Sequence, residues 1–349
     1  LVAVNPIIFV DNSHGMPILN HEHPPVYNEM WSIFQFWLGK VDFDGYRIDS
    51  VQNFKPGFWD SFIDTTFKTA YTNKVLLGEM IHTGTSWQLP WQQYTNNAGG
   101  IHFDALYDWT TSYWIRQVFG KQASSAGLIG DSITWDSSSN LDKPWNQVAF
   151  FDNYENDQFL AFADGANYAE KLSRIRMAAA YLFTINRVPM LFSGNEFLLH
   201  YGAYAPIGTY EKMPGFLFTS AVTGNATYQD NLAYMKALIQ MRKTNPALRS
   251  DERMTSASWI RQGTTLFGFI RRQAGSPSIV VMFNNSPYPV GSFDPSMPAG
   301  VTGSNNYNFV KKSGSSYGAA DSTVSWPSTS VMRISSMQPW EVKIIKINP

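Results

Sequence analysis

Over roughly the first 250 residues, short apolar or β-branched runs alternate with longer amphipathic stretches, and each short run closes on a polar or acidic residue. The runs are Phe43 to Ile48, Val75 to Gly78, Ile101 to Leu106, Gln147 to Phe151 and Val188 to Phe192. Helical patterns lie among them at Pro25 to Leu38, Pro56 to Tyr71, Tyr113 to Phe119, Tyr168 to Thr184 and Asp230 to Asn245. This is the rhythm of βα units around a parallel sheet. Side chains just past the C-terminal ends of such strands point into a shared mouth, so the polar closers mark where chemistry would gather. The last helical pattern ends in RKTNPAL, with basic residues in its final turn and Pro246 as a stop. Beyond residue 251 the texture changes to short segments such as LFGFIRRQ, SIVVMFNN and VKIIKI between Gly, Ser and Pro clusters, which reads as an antiparallel β module. Two domains are therefore expected, residues 1–251 and residues 252–349.

Composition removes several classes of function. Lys and Arg number 26 against 27 Asp and Glu, for a net charge of −1, and aromatic residues reach 15%. Neither a disordered chain nor a nucleic-acid binder has that balance. With no cysteine, a disulfide scaffold, a thiol nucleophile and a Cys-ligated zinc site are all excluded. No apolar run approaches the roughly 18 residues that would span a bilayer, so no membrane partner is expected. The opening LVAVNPIIFV lacks a basic flank and a small-residue cleavage site, and reads as mature structure. Low charge, abundant Tyr, Trp, Asn and Ser, and the glycan-acceptor triplets at Asn225 and Asn284 point to an extracellular or lumenal location.

The sharpest local signal is Asp44-Gly-Tyr-Arg-Ile-Asp49. Arg47 and Asp49 stand two apart and so share one side of a strand, where an Arg holds a carboxylate ionised and oriented. The same pair also suits a purely structural strand end. Glu79 closes the next apolar run and would face the same mouth. Paired carboxylates at the ends of consecutive strands are what glycoside hydrolysis requires.

GYRIDSVQNF, LLGEMIH and FFDNYENDQF, in that order, resemble the second, third and fourth conserved regions of the alpha-amylase family, glycoside hydrolase family 13. VPMLFSGNEF resembles the segment on that family's eighth strand, MPILNHEHPPV the stretch leading into its fourth, and the terminal β module its domain C. The likeness is nearest to the secreted fungal-type alpha-amylases. It implies a (β/α)8 TIM-barrel type fold lacking its first strands, followed by a C-terminal antiparallel β-sandwich. It further implies Asp49 as nucleophile, Glu79 as acid/base and Arg47 as its neighbour, in a retaining enzyme whose two carboxyl groups lie about 5 to 5.5 Å apart.

The departures from the family pattern are specific. The fourth region reads Asn153-Tyr154-Glu155 where the family has Asn-His-Asp, so the third acid is one methylene longer and the sugar-binding His is replaced. Gln52 and Asn53 stand where family amylases often carry Lys-His. The family's Leu-Pro-Asp-Leu is Met16-Pro-Ile18-Leu here, and an aliphatic side chain cannot ligate calcium, so no cofactor is expected. His82, His102 and His200 have no metal-ligand spacing. Trp87, Trp91, Tyr107 and Trp109 fall in or near loops where flat rings could stack on sugars, although most of the 12 Trp must be core.

Two functions follow. One is an enzyme, an alpha-1,4-glucan hydrolase or transglycosylase using Asp49 and Glu79, with Glu155 as third acid and an oligosaccharide as partner. The other is a glucan-binding or structural protein that keeps the scaffold after the active site has drifted. Five parallel strands would leave open edges, so the barrel is expected to be completed by further sequence or by a separate N-terminal polypeptide.

Overall fold

The computed structural model of the chain describes residues 2–3, 8–10, 17–54, 56–80, 103–122, 144–165, 167–198, 223–261 and 263–347. They form two compact units, one up to Tyr107 and one from Asp108 onward. Among the described residues no helix is long and apolar enough to cross a membrane.

The first unit opens with three short antiparallel strands, β1 (Val2–Ala3), β2 (Ile8–Val10) and β3 (Pro17–Leu19). Helix α1 (Pro24–Lys40) starts on proline, whose missing N–H costs nothing in a first turn. Helix α2 begins as Pro56–Trp59, continues in π-helical form through Asp60–Phe67 and ends at Lys68–Ala70. Strands β4 (Gly45–Ile48), β5 (Val75–Gly78) and β6 (Ala105–Leu106) pair in parallel in that order. The expected run from Ile101 is thus shortened to two residues, its first two positions lying outside the described set. Among the described residues β4 pairs only with β5.

Helix α1 has two apolar faces. Tyr27, Trp31 and Phe34, at helical spacing, meet Phe62 of α2 with ring centroids 5.6, 6.1 and 5.0 Å apart, and Phe62 is wholly buried. The Tyr46 hydroxyl donates to the Phe34 carbonyl at 2.7 Å, which ties β4 to the same helix. The second face carries Ile33, Phe36 and Trp37, which remain about half exposed. Gly45 is dictated by the close approach of β5, because a Cβ there would stand 2.0 Å from the Val75 carbonyl oxygen.

The second unit pairs β7 (Val148–Ala149) with β8 (Val188–Pro189) in parallel. Around them run α3 (Trp109–Ile115, continued by the π-helical Arg116–Lys121), α4 (Phe159–Phe162), α5 (Tyr168–Thr184) and α6 (Ala226–Thr244). Side chains satisfy the free backbone donors at three of these starts. Asp108 accepts from Thr111, Asn167 from Glu170, and Asn225 from both Thr227 and Tyr228. The C-terminus of α5 is finished by arginines, with Arg242 donating to the Phe183 and Ile185 carbonyls and Arg271 to the Thr184 carbonyl.

The remaining strands are β9 (Trp259–Arg261), β10 (Leu266–Arg271), β11 (Ser278–Asn284), β12 (Tyr307–Ser313), β13 (Ser316–Ala320), β14 (Val324–Ser328), β15 (Val331–Ile334) and β16 (Val342–Ile347). Six form one antiparallel sheet, ordered β13-β12-β16-β11-β10-β9, while β14 and β15 pair separately. The period of two divides the sheet's side chains. Phe267, Phe269, Ile279, Val281, Phe283 and Ile344 join the core of α3, α5 and α6, whereas Ile270, Val280, Met282, Ile345 and Ile347 pack with Val324, Met332 and Ile334 of the β14–β15 pair. The change at residue 251 is therefore one of secondary structure, and the core runs on across it.

One glycan triplet is closed by this packing. Asn284 is fully buried, and its amide donates to the Tyr288 and Gln338 carbonyls, both at 2.8 Å.

Candidate active site

Asp49 lies one residue past β4 and Glu79 one residue past β5, and backbone bonds join the two strand ends. The Glu79 amide donates to the Ile48 carbonyl at 2.8 Å, and the Val51 amide to the Glu79 carbonyl at 2.9 Å. Between them the chain turns at Ser50, which adopts the left-handed conformation with φ of 47°. A non-glycine residue there costs roughly 1–2 kcal/mol, and such outliers cluster at functional sites. The Trp59 indole holds the turn by donating to the Val51 carbonyl at 3.1 Å.

Arg47 is the hub. Its two terminal nitrogens stand 2.6 Å from a carboxylate oxygen of Asp49 and 2.6 Å from one of Glu79. It also donates to the Tyr107 hydroxyl, with the guanidinium 5.7 Å from the ring centroid. The sequence-derived group of Arg47, Asp49, Glu79 and Tyr107 is thus brought together. Environment separates the two acids, since the Asp49 side chain is 63% exposed and that of Glu79 only 1%. Asp49 is held below the usual carboxylate range, first by a hydrogen bond with Glu79, then by hydrogen bonding and charge attraction from Arg47. Burial raises the Tyr107 hydroxyl above its ordinary value.

Asn153, Tyr154 and Glu155 belong to the second unit and follow β7. The Asn153 side-chain oxygen accepts from the Glu155 amide at 3.0 Å and the Asn156 side chain at 2.9 Å, an Asx turn that leaves Tyr154 and Glu155 exposed. Beneath them is a residue that sequence reading passed over. Asp152 is buried, and its carboxylate accepts from Arg116 at 2.9 Å, from Asn195 at 2.7 Å and from the Phe159 amide. Burial pushes it up to about 7 against the pull of those partners. A polar DNYEND run reads as surface, and nothing in it marks one carboxylate as interior.

Gln52 and Asn53 lie on the short 3-10 turn after Ser50, both half-buried, and the Gln52 side-chain oxygen is buried with no hydrogen-bond partner among the described residues. Trp109 packs edge-on to Phe150 at 5.1 Å, as a core residue does. Trp87, Trp91, His82, His102 and His200 fall outside the described residues. Ile18, where the family carries a calcium-ligating Asp, is half-buried on β3 and presents no side-chain oxygen. Among the described residues no three acidic or His side chains gather closely enough to hold a metal ion.

The chain matches the profile described as alpha amylase, catalytic domain, over residues 8–205. It is 25% identical over 286 residues to a cyclomaltodextrinase of Thermoanaerobacter pseudethanolicus, covering 80% of this chain and 43% of that protein. It is 24% identical over 299 residues to a cyclomaltodextrin glucanotransferase of Paenibacillus macerans, covering 83% of this chain and 37% of that protein. The chain thus spans less than half the length of these curated relatives. Among solved structures, an alpha-amylase from Geobacillus thermoleovorans complexed with acarbose superposes with a TM-score of 0.73 at 20% identity, over 96% of this chain and 67% of that one. That likeness is one of fold. These relatives are bacterial, so the expected nearness to fungal secreted enzymes gains no support: short catalytic motifs are shared across the family and do not resolve its branches.

Proposed function

The chain belongs to the alpha-amylase family, and from that premise we propose that it is a retaining alpha-glucan hydrolase or transglycosylase acting on alpha-1,4 links. Asp49 is the nucleophile and Glu79 the acid/base. The observation that supports this most is the Arg47 bridge, which joins an exposed carboxylate held below its ordinary range to a buried one on the next strand. Asp49 attacks the anomeric carbon as the glycosidic bond breaks, and the Glu79 proton passes to the departing oxygen. Glu79 then takes a proton from water or from a sugar hydroxyl as that oxygen attacks the anomeric carbon and the bond to Asp49 breaks, which gives the free sugar or the transfer product and restores the Asp49 carboxylate. Tyr107, Gln52 and Asn53 line the same strand ends as sugar contacts.

Asp49→Asn and Glu79→Gln should each lower maltooligosaccharide turnover by about 100- to 10,000-fold, the span typical of a lost acid/base or nucleophile. Turnover unchanged in both would remove this assignment. The alternative of a glucan-binding protein draws support from Tyr154 and from Glu155, which is exposed with no side-chain partner among the described residues. It predicts oligosaccharide binding with no turnover in the native chain.

The single-sided pairing of β4 and the exposed Ile33, Phe36 and Trp37 further support a partner element, a βα unit whose strand adds in parallel beside β4, in the same or a separate polypeptide.

A further inference from the structure

We propose that Asp152 is the positioning residue of the loop that presents Tyr154 and Glu155, its carboxylate closing the base of residues 153–158 and pinning that base to α3 and to the turn after β8. The loop leaves the interior at Asp152 and returns at Phe159, and the hydrogen bond from the Phe159 amide to Asp152 joins its two ends. Arg116 fastens the base to α3, donating to the Phe151 carbonyl and to Asp152, both at 2.9 Å, while its guanidinium lies 4.1 Å from the Phe162 ring centroid. The second carboxylate oxygen takes the Asn195 amide at 2.7 Å, and Asn195 is itself fixed, accepting from the Phe192 amide and from Asn231 of α6, both at 3.1 Å. Asp157, within the loop, also attracts Arg116.

One buried carboxyl group thus gathers partners from α3, α4 and the β8 turn, with α6 behind them. An ion pair in the interior is weak evidence for stability, because desolvation offsets its attraction, and it is better suited to fixing one geometry. Above that base Asn153 makes the loop's inner turn, and the tip is exposed. A tip that meets sugar must be held to within about 1 Å, since such a displacement can cost on the order of 100-fold in rate. The role in sugar binding rests on the alpha-glucan reading above, and the mechanical role does not.

Hydrogen exchange on the full chain separates the two. Asp152→Asn keeps the shape and removes the charge, and should speed amide exchange across 153–159 at least tenfold while leaving β11 unchanged. Asn195→Ala keeps the Arg116 pair and should give a smaller increase in the same segment, and it replaces the first variant should that one not fold. In maltooligosaccharide binding followed by calorimetry, Asp152→Asn should weaken Kd about tenfold, yet cost nothing further in a Glu155→Gln background, because a residue acting through another is non-additive with it. Unchanged exchange in both variants overturns the proposal. Full additivity with Glu155→Gln, or a Glu155→Gln variant that binds as tightly as the native chain, also overturns it. If the native chain binds no maltooligosaccharide, the alpha-glucan reading fails and the exchange result alone decides the loop's anchor.

Discussion

Arg47 reaches two acids at once, and removing it should show which charge it governs. Asp49 sits below the ordinary carboxylate range, so its contribution is present above that range and lost as pH falls through the lowered value. Arg47→Met removes one of the causes, and the acidic limb of the rate profile should move to higher pH, measured as kcat/KM from pH 3 upward. Asp152 behaves in the opposite sense. Its folded value is raised to about 7, so its contribution is largest below about 4 and is lost as pH rises to about 7. Denaturant titrations at pH 5 and pH 8 should show the native chain losing on the order of a few kcal/mol across that interval and Asp152→Asn losing less. The first acid could be read from sequence because its partner Arg47 is two residues away on one strand. The second could not, because Arg116 and Asn195 lie 36 and 43 residues off and meet it only after folding.

Elements were legible in proportion to how far local pattern alone decides them. Helix α5 runs from Tyr168 to Thr184, as its periodicity predicts, and β5 from Val75 to Gly78, since an apolar run between a turn and an acid has one way to end. Strands β7 and β8 are two residues each within longer apolar runs, because strand length is set by the neighbour's register. The π-helical stretch of α2 had no sequence signature, though its aromatic residues did. Phe62 is fully buried among Tyr27, Trp31, Phe34, Phe58 and Trp59. Phe62→Ala should cost about 3–5 kcal/mol by denaturant unfolding. Gly45→Ala forces backbone apart and should cost about 1–3 kcal/mol, with β4 amides losing exchange protection first.

At the scale of the molecule, the two apolar faces of α1 have different fates, and the exposed one should make the chain sticky. Sedimentation should show concentration-dependent self-association, and Ile33→Glu combined with Trp37→Glu should shift it at least tenfold toward monomer. The alternation of strands and helices announced the parallel architecture and the antiparallel end. What it could not announce is how the end is attached, because Arg271 of β10 reads as one more basic residue in LFGFIRRQ. It is fully buried, reaching the Thr184 carbonyl at 3.0 Å and Ser250 at 3.2 Å. The last hundred residues are therefore no detachable cassette. A graft that exchanged them for the corresponding stretch of a cousin would have to import a guanidinium at that position as well, or leave a helix earlier in the chain without its final stitch.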